Sequence, residues 1–285
     1  MNGNANKLPA SPITFNARGL VPDLRLNMLG KMMHVHSTVL KMHSYFFFSY
    51  LDASGGDWQL VSNNDKAGDL ALSTFKGEQE QNTRAFYNLL RAMYSLPYTL
   101  ESATELITMS VMARFYASLP ILSRSLSASI LQSKGFLYDM ESNSMKLVIV
   151  AKELRHAELF KDCLLLYLGP WHSRFSPRFN DPQLNVLAST IHNKICSKLA
   201  VAQEELVDAM AGRYDHVNGN ACLPCFFRAL KNTDLGESNF LKETCLDPLL
   251  ENCLILPVLG QNACHFLCVK ILDDELPWDR TQTDW

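Results

Sequence analysis

The stretch His34-Val35-His36-Ser37-Thr38-Val39-Leu40, with Ser44-Tyr45-Phe46-Phe47 just beyond it, holds the change of period on which the fold turns. Before it, Asp23-Leu24-Arg25-Leu26-Asn27-Met28-Leu29 alternates polar and apolar residues, the two-residue period of a half-buried strand. Gly30-Lys31 offers a turn, and Met32 to His36 reads as the returning strand of a hairpin. From Ser37 the pattern becomes helical. Ser37 is placed to cap a short helix through Leu40, and Ser44 to cap a second one carrying Phe46, Phe47, Tyr50 and Leu51. At helical spacing Phe46, Phe47 and Tyr50 share a side, while Phe48 lies opposite and is expected outside the core.

Toward the N-terminus the residues lack periodicity, are rich in Asn, Gly, Ser and Pro, and read as a flexible leader over 1–19. On the other side, Ala53 to Asp69 reads as a loop insertion around a strand candidate at Trp58 to Val61, with another at Leu70 to Phe75. Phe86, Leu89, Leu90, Met93 and Tyr94 then form one face of a helix that Pro97 is expected to close. Glu101 to Tyr116 and Leu119 to Ser133 make a helical pair broken near Pro120. Gly135 opens a second segment, helical in two pieces from Ser144 to Leu168. A long helix follows, with Asp181 as N-cap, Pro182 in its first position and Gly212 just past its end. Its stripe is Leu184, Leu187, Ile191, Ile195, Leu199, Ala202 and Leu206. The organisation expected is a leader (1–19), a mixed core (20–133), a helical extension (134–212) and a less regular C-terminal segment (213–285). The fold class is α+β.

Hydrophobic residues at 47% and charged residues at 19% describe a chain that folds. A net charge of −3, with no run of Lys and Arg, argues against nucleic acid as a partner. Met1 to Asn6 is polar and reads as no secretory signal. The most apolar runs fall far short of the roughly 20 residues that span a bilayer, so no membrane partner is expected. Eight cysteines without an export signal are expected as reduced thiols, which suggests an intracellular protein of cytoplasm or nucleus.

Chemistry-bearing motifs are sparse. The sequence has no Gly-x-Ser-x-Gly, no His-Glu-x-x-His, no phosphate loop and no dinucleotide fingerprint, so neither an enzyme nor a cofactor is expected. His34 and His36, on one strand, would point to the same face, yet neither a cysteine nor a carboxylate cluster accompanies them to complete a metal site. Cys222-Leu223-Pro224-Cys225 is the most specific local motif. Cys245 with Cys253, or Cys264-His265 with Cys268, would have to supply the second half of a zinc site, and packing as small hydrophobes is the better reading. A zinc- or thiol-dependent protein using Cys222 and Cys225 stands as the minor alternative.

Strand, hairpin, short helix pair and then amphipathic helices is an order that resembles the BTB/POZ domain. The residues that carry the resemblance are Asp23, the run His34 to Leu40, Ser44-Tyr45-Phe46-Phe47, and Phe86 with Leu89-Leu90 and Met93-Tyr94. It covers about Leu20 to Ser133. The family's Tyr-Thr-Gly turn after the third helix is Tyr94-Ser95-Leu96 here. Further on, Lys152-Glu153-Leu154-Arg155-His156 with Leu159-Phe160, His192 to Cys196, and Leu276-Pro277-Trp278-Asp279 resemble single-BTB proteins of filamentous fungi.

What the resemblance implies is a non-enzymatic protein–protein interaction module, a scaffold or adaptor that self-associates as a homodimer or binds another protein. The interaction residues it suggests are Asp23, His36 and Ser37. Phe48 joins them from its outward position on the second short helix. In the family the strand-opening Asp pairs with a basic residue after the His, where this chain has Ser37, which argues against a co-repressor groove. The alternative partner is a cullin, with the chain as substrate adaptor of a ubiquitin ligase. Gln81-Asn82-Thr83-Arg84 offers neither the apolar anchor nor the acid that such adaptors carry before the third helix.

Overall fold

The alternation at Leu24 to Met28 buries one side chain in two, and a hairpin results. A computed structural model describes residues 12–28, 30–51, 58–59, 79–168, 179–214, 254–257 and 269–281; for 58–59 and most of 199–214 it describes the backbone alone. Strands β1 (Ile13–Thr14), β2 (Leu24–Met28), β3 (Lys31–Val35) and β4 (Trp58–Gln59) lie in the order β1-β3-β2-β4. The hairpin β2–β3 is antiparallel, Leu24 opposite Val35 and Met28 opposite Lys31. The two-residue strands β1 and β4 add to its edges in parallel. Leu24, Leu26, Met28, Met33 and Val35 face inward and are buried. Gly30 takes the turn at φ 85°, where a side chain would be strained, and its N–H donates to Asn27 Oδ1 at 3.0 Å.

Nine α-helices are described: α1 (Ser37–His43), α2 (Tyr45–Tyr50), α3 (Gln79–Met93), α4 (Ala103–Phe115), α5 (Leu119–Gln132), α6 (Lys134–Asp139), α7 (Ser144–Glu153), α8 (Ala157–Leu168) and α9 (Pro182–Tyr214). With the small sheet they make a mixed α+β protein. None of them is long and apolar enough to cross a membrane.

Three helices stop by one device. At the ends of α3, α4 and α7 a left-handed residue reverses the chain: Ser95 (φ 54°), Ala117 (φ 49°) and Arg155 (φ 48°). The next amide then reaches back to a carbonyl five residues earlier: Leu96 to Arg91 at 2.8 Å, Ser118 to Ala113 at 2.7 Å, His156 to Ala151 at 2.9 Å. So α3 has already ended when Pro97 arrives, and the break between α4 and α5 falls at Ala117-Ser118, with Pro120 tolerated in the first turn of α5.

Helices α3 and α4 are tied through buried polar groups. Asn88 Nδ2 donates to Thr99 O at 3.1 Å and to Glu105 Oε1 at 2.8 Å, and Glu105 Oε2 accepts the Glu101 N–H at 2.7 Å. Arg84 pairs with Glu101 and lies 3.3 Å from Glu105. Burial nonetheless pushes the Glu105 carboxyl upward, against those favourable contacts.

The sequence suggests a boundary near Ser133; one compact unit takes in the residues up to Phe160 together with Arg280. Ser133 Oγ accepts the Leu100 N–H at 2.7 Å, Asp139 Oδ2 accepts the Ala103 N–H at 3.0 Å, and Gly135 meets the Glu101 carbonyl so closely that a Cβ would overlap it. These contacts hold α6 against the start of α4.

The second unit begins at Lys161. Within it, fully buried Asp162 accepts the N–H groups of Ile255, at 3.0 Å, and Leu256, at 2.6 Å. Asp181 Oδ1 caps α9, accepting from Gln183 at 3.0 Å and Leu184 at 3.3 Å. Of the stripe, Leu184, Ile191 and Ile195 are buried, with Ala188 beside them, and Leu187 is part-buried; the side chains of Leu199, Ala202 and Leu206 lie outside the described residues. Gly212 lies inside the helix rather than past its end, and α9 continues to Tyr214. Lys161 pairs with Asp273 and Lys194 with Glu275, each at 2.5 Å.

Candidate interaction surface

Two short helices anchored at one point carry the candidate surface. The anchor is the turn at Ser44, whose Oγ accepts the Phe47 N–H at 3.2 Å and donates to the Tyr116 carbonyl at 2.5 Å. It therefore caps α2 and ties it to the end of α4. Phe47 follows inward, fully buried and stacked on Tyr116 at 5.3 Å with a 7° interplanar angle. Phe46 packs edge-on to Tyr116 and tilted to Phe115, each at 5.3 Å, and Tyr50 covers Phe46 at 4.8 Å. Complete burial pushes the Tyr116 phenol far above its ordinary range.

With that side filled, the other side of α2 faces out. Phe48 is 56% exposed and Tyr45 73%, and their rings stack at 6.3 Å. Tyr50 is also exposed, and so is Met42 on α1. Phe48 therefore stands opposite the side that Phe46 and Phe47 share, as its helical spacing requires. Sequence reasoning missed Tyr45, although the i, i+3 step back from Phe48 lands on it. Tyr50, expected to share the inner side with Phe46 and Phe47, reaches Phe46 but stays half in solvent.

At the other end of α1, Asp23 and Ser37 bind each other. The Ser37 N–H donates to Asp23 Oδ1 at 2.7 Å and its hydroxyl to Oδ2 at 2.5 Å. Ser37 is thus the first helical residue rather than the cap. His36 occupies the cap position without a side-chain bond to the helix, and Asp23, 14 residues earlier, supplies the acceptor. What burial Asp23 has works to raise its pKa, and the two Ser37 bonds outweigh this and hold the carboxyl below its usual value.

His36 has left the strand that was expected to carry it, and so does not share a strand face with His34. It is 2% exposed. Tyr94 fixes it from α3's end: the phenol oxygen accepts the His36 N–H at 2.7 Å and lies 2.9 Å from Nδ1. Burial drives the Tyr94 phenol up to about 12, with the charge of Asp23 adding to the rise. Nε2 of His36 has no hydrogen-bond partner among the described residues.

No group of three or more His, Cys, Asp or Glu with metal-binding geometry occurs among the described residues. Cys222, Cys225, Cys245, Cys253, Cys264 and Cys268 lie outside them. Cys163 is buried, its thiol pushed well up by burial and by the neighbouring Asp162 carboxylate, so it is a poor nucleophile. Comparisons with protein-family models, with curated proteins and with solved structures each find no match to this chain.

Proposed function

We propose that this chain is a BTB/POZ-type interaction module, a scaffold or adaptor that works by presenting a fixed protein-binding face. The observation that carries this reading is the outward face of α2, where Tyr45 and Phe48 stack on each other, both more than half exposed, above a fully buried Phe47. Burying one such ring is worth about 1.5–3 kcal/mol, so a face with several of them favours a protein partner over water. The α2 segment Tyr45–Tyr50 carries no charge, which suits a face that closes against another apolar surface. In this reading the Asp23–Ser37 pair and His36 set the angle at which α1 leaves the hairpin, and Phe48 with Tyr45 meets the partner.

Phe48→Glu tests the reading. The far-ultraviolet circular dichroism and melting temperature should match the parent chain, while light scattering or partner capture shows weakened association. An unfolded variant would place Phe48 in the core. A folded variant with unchanged association would remove this face from the interface.

A further inference from the structure

We propose that His156 is a pH-sensitive latch, fastening the first turn of α8 to α5 while the imidazole is neutral and releasing it on protonation. His156 Nδ1 accepts the Leu159 N–H at 3.2 Å, so that nitrogen carries no proton. The ring's proton is then on Nε2, which donates to Ser127 Oγ at 2.8 Å. Both nitrogens are used, and the arrangement exists only in the neutral ring. The backbone agrees: Phe160 N–H donates to the His156 carbonyl at 3.0 Å, which makes His156 the N-cap residue of α8.

A second proton would go to Nδ1. It would set one N–H against another across the Leu159 contact and place a positive charge at a helix N-terminus, where the helix dipole opposes it. The ring is 7% exposed, so water cannot take over the lost bond while the corner stays closed. The charged residues on the elements that meet it are Arg124 on α5, Lys146, Lys152 and Glu153 on α7, Arg155 in the corner, and Glu158, Lys161 and Asp162 on α8. Of these, Glu158 acts on the ring and favours protonation. Burial is the larger effect and holds the pKa below its ordinary value.

Residue-resolved hydrogen exchange on the full chain between pH 7.5 and 5.5, corrected for the intrinsic rate, tests the latch. The Leu159 protection factor should fall by up to about tenfold per pH unit once the ring begins to titrate, while Leu89 on α3 keeps its own. In His156→Asn, whose amide oxygen caps without titrating, the Leu159 protection should be flat with pH. A flat profile in the parent chain, an equal fall at Leu89, or the same fall in the variant would overturn the proposal. If His156→Asn does not fold, the parent's imidazole resonances decide. An Nε2–H tautomer that titrates below 6.5 supports the latch, and an Nδ1–H tautomer, or titration at 6.5 or above, refutes it.

Discussion

Replacing Asp23 by alanine removes both acceptors of Ser37 at once, the one for its amide and the one for its hydroxyl. The amide is the first of α1, so the loss is that of an N-cap delivered from the residue just before β2, worth about 0.5–2 kcal/mol. Bonds to a charged acceptor lie at about 1.5–3 kcal/mol when buried, but Asp23 is exposed and water replaces part of what is lost. A cost of about 1–1.5 kcal/mol follows for Asp23→Ala, or about 2–6 °C in melting temperature for a unit of this size. Ser37→Ala forfeits the hydroxyl bond alone and should cost about 0.5–1 kcal/mol. Because the two changes share that bond, the double variant should fall short of the sum by about 0.5 kcal/mol. Urea unfolding followed by circular dichroism measures all four corners of the cycle.

The pH dependence has a definite sign. The folded pKa of Asp23 lies below its unfolded value, so the carboxylate's contribution is complete above about pH 4 and is lost as pH falls through the lower folded value. The stability gap between the parent and Asp23→Ala should be constant from pH 7 to 5 and shrink below 4. An unchanged urea midpoint in Asp23→Ala, or strict additivity of the two single changes, would refute the capping account.

Two further substitutions probe the packing. Gly135→Ala would ordinarily stabilise a helix by about 1 kcal/mol; here the Cβ meets the Glu101 carbonyl, so the variant should lose about 1–3 kcal/mol instead, and a raised melting temperature would show that α6 does not sit this close. Ile195→Ala removes a side chain only 3% exposed on α9 and should cost about 2–5 kcal/mol in denaturant unfolding, a neutral result placing the stripe in solvent.

What was legible in the sequence was local. The alternation from Leu24 to Met28, the glycine at the hairpin turn, Ser44 as a cap and Asp181-Pro182 at the start of α9 all act within a few residues, and all stand in the structure. The outward position of Phe48 follows from helical spacing alone. Helix ends were harder, because Ser95, Ala117 and Arg155 do what glycine usually does and carry no mark of it. Gly212 misled in the opposite sense: one glycine costs a helix only about 1 kcal/mol, which a long apolar stripe absorbs. Asp23 and Ser37 were singled out together as interaction residues, but the bonds between them depend on a hairpin bringing a side chain to a helix start, and no residue spacing announces that. The ties across Ser133 were hidden for a similar reason, since Ser133 and Asp139 accept from backbone amides, and backbone amides have no signature in a sequence.

Asp162 sets an order of events during synthesis. The amide of Leu256, which its buried carboxylate accepts, is 94 positions further along the chain. A ribosome adding about 5–20 residues each second needs roughly 5–20 s to cover that distance. Throughout that interval the nascent α8 carries an acid whose two amide donors have yet to be made. The elements of the first unit up to Phe160 can meanwhile close on one another. Within the Lys161–Asp279 unit, Asp162 has to wait for the segment around Leu256 before it gains these two donors.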